Sequence, residues 1–228
     1  MKIAEIYESV QGEGFLTGTD SIFVRTSGCN LRCRFCDTPF TSWAPVGDEL
    51  TIDQILAQIA PFAARHVVIT GGEPLLHSDL VPLCSELAAL DKHITIETAG
   101  TLSLDLKCDL MSISPKLSNS TPSMQLAESW REKHESNRFA PEVIRSLTNG
   151  YPYQFKFVVE SPQDCLEIEE YLASFPNIDR QRVLLMPEGT DVDSLNATKQ
   201  WLQPYCEQHN LHFCPRMQIT WFGYERAT

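Results

Sequence analysis

Hydrophobic and polar positions change period repeatedly along this chain. Residues 2–7 and 21–26 alternate or carry β-branched and aromatic side chains, the mark of strands. Residues 66–70 form a short apolar run, and comparable runs follow at 93–98, 108–114, 153–159, 182–186 and 212–215. Between them the period lengthens. Ile52, Ile55, Leu56 and Ile59 share one helical face behind Thr51 as N-cap. Ser78 is expected to cap a helix through Leu90, and residues 162–174 and 192–209 carry two further helical patterns. The pattern predicts roughly seven strands, the first short and peripheral.

Strands alternating with helices predict a mainly parallel sheet with right-handed crossovers. A closed barrel of eight such units typically needs about 250 residues. With 228 residues, the chain is expected to form an α/β fold of the partial, open (β/α) TIM-like barrel type. It reads as one domain over residues 1–228, with a surface insertion at about 117–138. That stretch holds Ser, Asn, Thr and Pro, then a charged run, and predicts one or two helical turns.

Composition narrows the function. Hydrophobic content of 43% and charged content of 21% suit a soluble globular protein. A formal charge of −12 speaks against a nucleic-acid surface. No apolar run approaches a membrane span, and the first residues lack the apolar stretch of a signal peptide, so a cytoplasmic protein is expected. Eight cysteines in a reducing compartment favour a metal or redox centre over disulfides. Cys84, Cys165, Cys206 and Cys214 sit among apolar neighbours and read as small buried hydrophobes.

The other cysteines include a dense group. Cys29, Cys33 and Cys36 share one loop, with three residues between the first pair and two between the second. A disulfide uses two sulfurs and a structural zinc takes four ligands. A [4Fe–4S] cube is usually held by four thiolates. Three would leave one iron for a small molecule to chelate. A zinc site borrowing Cys108 or His66 is the alternative on the loop alone. Gly71 and Gly72 end the 66–70 strand, where glycine lets backbone approach a ligand closely. Both stretches, and Ser114-Pro115-Lys116, fall at C-terminal ends of strands, where chemistry sits in such folds.

The Cys29-x3-Cys33-x2-Cys36 loop with Phe35, and Thr70-Gly71-Gly72-Glu73-Pro74, resemble the signatures of radical S-adenosylmethionine enzymes. The resemblance implies a [4Fe–4S] cluster on the three cysteines. Its open iron would chelate S-adenosylmethionine, which is cleaved to methionine and a 5′-deoxyadenosyl radical. Gln11-Gly12-Glu13-Gly14, Arg25 and Cys36-Asp37-Thr38 further resemble the 7-carboxy-7-deazaguanine synthase family of queuosine and 7-deazapurine biosynthesis. That resemblance implies hydrogen abstraction from C6 of 6-carboxy-5,6,7,8-tetrahydropterin, ring contraction, loss of ammonia and formation of 7-carboxy-7-deazaguanine. It also implies Mg²⁺, regenerated S-adenosylmethionine, an electron donor such as flavodoxin or ferredoxin, and a homodimer.

By the same resemblance, Thr38 would bind Mg²⁺, a hard cation suited to oxygen. Phe35, Cys36, Asp37, Gly71, Gly72, Glu73, Ser114, Pro115, Lys116, Met186, Pro187, Glu188 and Gly189 would contact the cofactor. Relatives often carry Gln at the place of Met186. Val10, Gln11, Gly12, Glu13, Arg25 and Thr70 would contact substrate. Glu13 suits the amidine-like edge of a pterin, and Arg25 offers its carboxylate a planar fork. Taken alone, Glu13 also reads as a surface carboxylate, and Arg25 as an outward residue paired with an acid. No substrate contact is expected in the tail, residues 217–223. A glycyl-radical activase, a non-catalytic zinc module and a non-enzymatic scaffold are the competing functions.

Overall fold

The computed structural model describes residues 1–227, apart from the side chains of 124–128. The chain opens with β1 (Lys2–Val10), which turns back on β2 (Asp20–Thr26). Then follow α1 (Pro39–Ser42), β3 (Asp48–Glu49), α2 (Ile52–Ile59), β4 (His66–Gly71), α3 (Leu80–Ala89) and β5 (His93–Thr98). After β6 (Leu110–Ile113) come α4 (Met124–Arg138), α5 (Pro141–Gly150), β7 (Tyr153–Val159) and α6 (Pro162–Ala173). The chain closes with β8 (Val183–Pro187), α7 (Val192–His209), β9 (His212–Phe213) and α8 (Met217–Phe222).

The strands form one sheet in the order β3-β1-β2-β4-β5-β6-β7-β8-β9. From β2 to β9 every neighbouring pair is parallel, while β1 is antiparallel to both β2 and β3. The sheet has two ends and does not close, so the expected open, partial barrel is present. Among the described residues no helix is long and apolar enough to cross a membrane.

Side chains alternate across a strand, and here the alternation separates packing from chemistry. Ile22, Val24, Val67, Ile69, Ile94, Ile96, Phe155 and Phe157 point toward the helices and share one buried core. Helices α2 and α6 meet them with Ile55, Ile59, Cys165 and Ile168. The opposite positions on the same strands, Arg25, Thr70, Glu97 and Lys156, face the barrel interior and line a cavity.

Three expectations need correction. The first strand has nine residues and lies second from the sheet edge, because Glu8–Val10 keep pairing with Asp20–Ile22 until the glycines begin. The 117–138 stretch holds a fifteen-residue helix, α4, where one or two turns are expected. Its good helix formers outweigh its lack of an apolar stripe. Helix α3 begins at Leu80 behind Asp79, since residues 74–76 first make a 3₁₀ turn and leave Ser78 outside the helix. Helix α5, with Pro141 in its first turn and Ile144 and Leu147 buried, has too short an apolar face for periodicity to show.

Phe157 has no exposed surface, and its ring stands 5.9 Å from that of Phe155 and 5.3 Å from that of Tyr171. Phe157→Ala is expected to cost about 3–5 kcal/mol of stability. Urea titration should show a lower midpoint at unchanged slope. A midpoint like that of the original chain would mean the core closes over the gap.

Candidate active site

The inward faces of the strands surround a cavity of about 530 Å³. The three-cysteine loop forms one wall. Cys29, Cys33 and Cys36 all line the cavity. The Leu31 N–H donates to Cys29 Sγ at 3.4 Å, Cys36 Sγ lies 3.1 Å from Ser42 Oγ, and the Trp43 indole N–H donates to the Cys33 carbonyl at 3.0 Å. Burial pushes the Cys29 thiol up to about 11 and the Cys33 thiol up to about 12, the latter against the opposing pull of Lys116. A metal must therefore displace protons to bind here. Among the described residues no three His, Cys, Asp or Glu side chains stand together in metal-ligand geometry.

The glycine turn is locked against the start of that loop. Gly71 has φ +130°, and a Cβ there would lie 2.1 Å from the Thr26 carbonyl oxygen. A Cβ on Gly72 would lie 2.1 Å from the Gly28 oxygen, so both positions exclude a side chain. Glu73 has no exposed surface and does not line the cavity. Its carboxylate accepts from Leu75 N–H (3.1 Å), Thr98 Oγ (2.8 Å) and Ala99 N–H (2.8 Å). Burial raises its pKa above the usual carboxylate range. The Glu73 side chain fixes the turn to the end of β5.

A charged cluster lines the same cavity. Glu13 accepts from Lys156 Nζ at 2.5 Å, from Arg216 Nε at 3.1 Å and from Gln218 Nε2 at 2.5 Å. Burial opposes its ionisation, but Lys156 and Arg216 outweigh burial and hold its carboxyl down at about 2. Lys156 also reaches Glu97 Oε1 at 3.3 Å, and Thr70 Oγ donates to Glu97 Oε2 at 2.7 Å. Arg25 sits in register beside Thr70. It faces inward, donating from Nε to Glu5 at 2.6 Å and from Nη2 to the Tyr7 hydroxyl at 2.8 Å. Arg25 thus does pair with an acid, yet inside the cavity.

The remaining expected residues divide. Val10, Gln11, Gly12, Phe35, Asp37, Thr38, Ser114, Lys116, Met186 and Glu188 line the cavity, whereas Pro115, Pro187 and Gly189 do not. Gln11 is engaged with Ser21 Oγ at 2.8 Å, Thr38 Oγ accepts from Thr41 Oγ at 3.2 Å, and Lys116 Nζ donates to Ser114 Oγ at 2.7 Å.

The chain reading leaves out the tail, and the structure brings it in. Arg216 links three walls, donating to Glu13, to Asp37 Oδ2 at 2.6 Å and to the Gly189 carbonyl at 2.7 Å. The Tyr224 hydroxyl donates to the Asp37 carbonyl at 2.8 Å, and Arg226 donates to Glu5 at 2.6 Å. Glu97 and Lys156 are also new to the site. Each is the one Asp, Glu, Lys or Arg within its strand, a signal that the sequence of 93–98 and 153–159 already carries.

A family model of the radical SAM superfamily matches residues 23–120. A 7-carboxy-7-deazaguanine synthase of Rhodopirellula baltica is 44% identical over 227 residues, covering 99% of this chain and 88% of the relative. One from Halobacterium salinarum is 43% identical, covering 96% and 89%. The fold is similar to the crystal structure of QueE from Escherichia coli, with TM-score 0.71 and 24% identity over 94% of this chain and 92% of that one.

The buried carboxylate of Glu13 makes a stability prediction. Glu13→Gln leaves Lys156 and Arg216 poorly compensated, and removing one partner of a buried pair costs about 3–5 kcal/mol. Because the folded pKa of Glu13 lies below its ordinary 4.5, its contribution is complete above that value. It fades as the pH falls toward about 2. Urea midpoints measured across pH should therefore show the two proteins far apart at neutral pH and converging in acid. A constant difference at every pH would separate Glu13 from this titration.

Proposed function

Because the chain belongs to the 7-carboxy-7-deazaguanine synthase family within the radical S-adenosylmethionine superfamily, we propose that it converts 6-carboxy-5,6,7,8-tetrahydropterin to 7-carboxy-7-deazaguanine with release of ammonia. The observation that supports this reading is a cavity lined both by three thiols and by a charged, hydrogen-bonding set.

Cys29, Cys33 and Cys36 fit a [4Fe–4S] cluster. They are three sulfur donors on one cavity wall, one of them already accepting an N–H bond. With S-adenosylmethionine bound, the cluster supplies the hydrogen-abstracting radical chemistry of the superfamily. The backbone of Gly71 and Gly72 faces the same space and would take the polar end of the methionine moiety. Phe35, Asp37, Ser114, Lys116, Met186 and Glu188 would surround the rest of the cofactor. Met186 is 5% exposed and offers thioether packing where a Gln would offer a hydrogen bond.

At the charged cluster, Arg25 would take the substrate carboxylate through its fork. Glu13 is held ionised by Lys156 and Arg216, ready to accept from the N–H edge of the pterin. Gln218 Oε1 is buried and has no partner among the described residues, so it is a second acceptor suited to an incoming N–H. Thr70 and Glu97, bonded to one another, stand between these groups and the glycine turn. Thr38 would offer its hydroxyl to Mg²⁺ beside the substrate carboxylate, with water completing the shell. A flavodoxin or ferredoxin as electron donor, a homodimer and a cytoplasmic setting complete the proposal.

Anaerobic enzyme reconstituted with iron and sulfide, then reduced and mixed with S-adenosylmethionine and the carboxypterin, should yield the deazapurine, followed by its ultraviolet spectrum. Loss of the pterin without that product would overturn the assignment. Cys33→Ala should hold no cluster and form no 5′-deoxyadenosine, while Cys84→Ala keeps both. Arg25→Lys retains charge and loses the fork, so carboxypterin binding should weaken about tenfold or more by calorimetry at normal iron content. Thr38→Ala should bind S-adenosylmethionine normally and lose most of the Mg²⁺ stimulation of turnover. Identical Mg²⁺ titrations in the two proteins would confine Thr38 to shaping its loop.

A further inference from the structure

The polar segment 117–138 is not part of the reading above, yet it is fastened to the cysteine loop. Its ties fall on the residues between the cysteines. The Asn137 side-chain amide donates to the Asn30 carbonyl at 3.2 Å. The Arg32 N–H donates to His134 Nδ1 at 3.1 Å. The Arg34 N–H donates to the Ser120 carbonyl at 2.9 Å, and its guanidinium to that of Asn119 at 2.7 Å. The Arg32 guanidinium folds back onto the carbonyls of Cys29 (2.8 Å) and Leu31 (2.7 Å), and lies 3.9 Å over the Trp130 ring. Every second residue of the loop is therefore held through its main chain by one segment.

From this pattern we infer that segment 117–138 is the template that sets the cysteine loop for cluster binding, with His134 as its central positioning residue. The inference rests on the cluster reading of the three cysteines and goes beyond it. His134 has no exposed surface. Accepting the Arg32 N–H requires an unprotonated Nδ1, so Nε2 carries the proton and donates to Ser120 Oγ at 2.9 Å. Ser120 Oγ donates in turn to the Leu117 carbonyl at 2.6 Å. Burial pushes His134 down to about 4, which keeps this neutral form. A buried imidazole with both nitrogens engaged is an expensive way to fill space, since an apolar side chain would pack as well without polar obligations. What the imidazole adds is a fixed acceptor for an amide midway between Cys29 and Cys33. The loop's own bonds, from the Leu31 N–H and the Arg32 guanidinium, leave the Arg32 amide to this outside anchor.

The test compares His134→Asn with His134→Leu in the full chain. Asn can place an oxygen near the position of Nδ1 and keep the acceptor, and Leu removes it. Each is reconstituted anaerobically, assayed for iron and sulfide, and challenged with a ferrous chelator. Partners that orient metal ligands typically change metal affinity by about 10–100-fold. His134→Leu should thus lose iron about tenfold faster or more, and show an altered electron paramagnetic resonance spectrum when reduced. Its circular dichroism and melting temperature should stay near those of the original chain, and His134→Asn should hold its cluster. Unchanged iron loss in His134→Leu would overturn the inference. So would equal iron loss in both variants tracking a fallen melting temperature, which marks simple packing. If His134→Leu does not fold, Asn137→Leu tests the neighbouring tie by the same chelator rate and the same two outcomes. An original chain that takes up no iron and sulfide would instead sink the cluster reading itself.

Discussion

Two buried cations inside this barrel share one carboxylate. Lys156 and Arg216 are almost fully buried, and the desolvation of a lone ammonium or guanidinium would cost several kcal/mol. Glu13 meets both. It lies 143 residues from Lys156 in the chain, so this pair joins the loop after β1 to β7 across the cavity. Glu97 brings in β5, and Arg216 brings in the tail and the cysteine loop. The charged wall is thus a closing device for an open sheet as well as a chemical surface.

Much of the fold was legible because parallel strands buried on both faces leave strong apolar runs, such as Val67, Val68 and Ile69. The cysteine loop and glycine turn were legible for another reason: few residue types can do what they do. A side chain at Gly72 would meet the Gly28 oxygen, and no other type supplies three thiols. The charges of the cluster were harder to read. Glu97 and Lys156 stand out within their strands, but which residue meets which is decided by topology, not by spacing. Arg216 and Gln218 follow a two-residue strand and belong to no periodic pattern. Their role depends on where β9 ends.

The polar helix α4 shows a different limit. Amphipathicity reports how much of a helix is buried, not what the buried part does. Here His134, Asn137 and the face of Trp130 make the contacts with the cysteine loop. A surface-like composition is compatible with a structural duty when that duty falls on hydrogen bonds to one loop.

The inner arginine of β2 is never a vacant cation. Arg25 is bonded to Glu5, and Glu5 is also bonded to Arg226 from the tail. An acid shared between two bases is an exchangeable partner. An arriving carboxylate would not fill a hole but would compete with a resident one, and Arg226 stands ready to retain Glu5 when it is displaced. On the proposed role of Arg25, recognition would read a difference between two carboxylates in place of an absolute charge. A neutral analogue has nothing to offer Arg25 that Glu5 does not already provide. Selectivity at this wall would in that sense be a property of the resting protein, set by the Glu5 pairing before any ligand arrives.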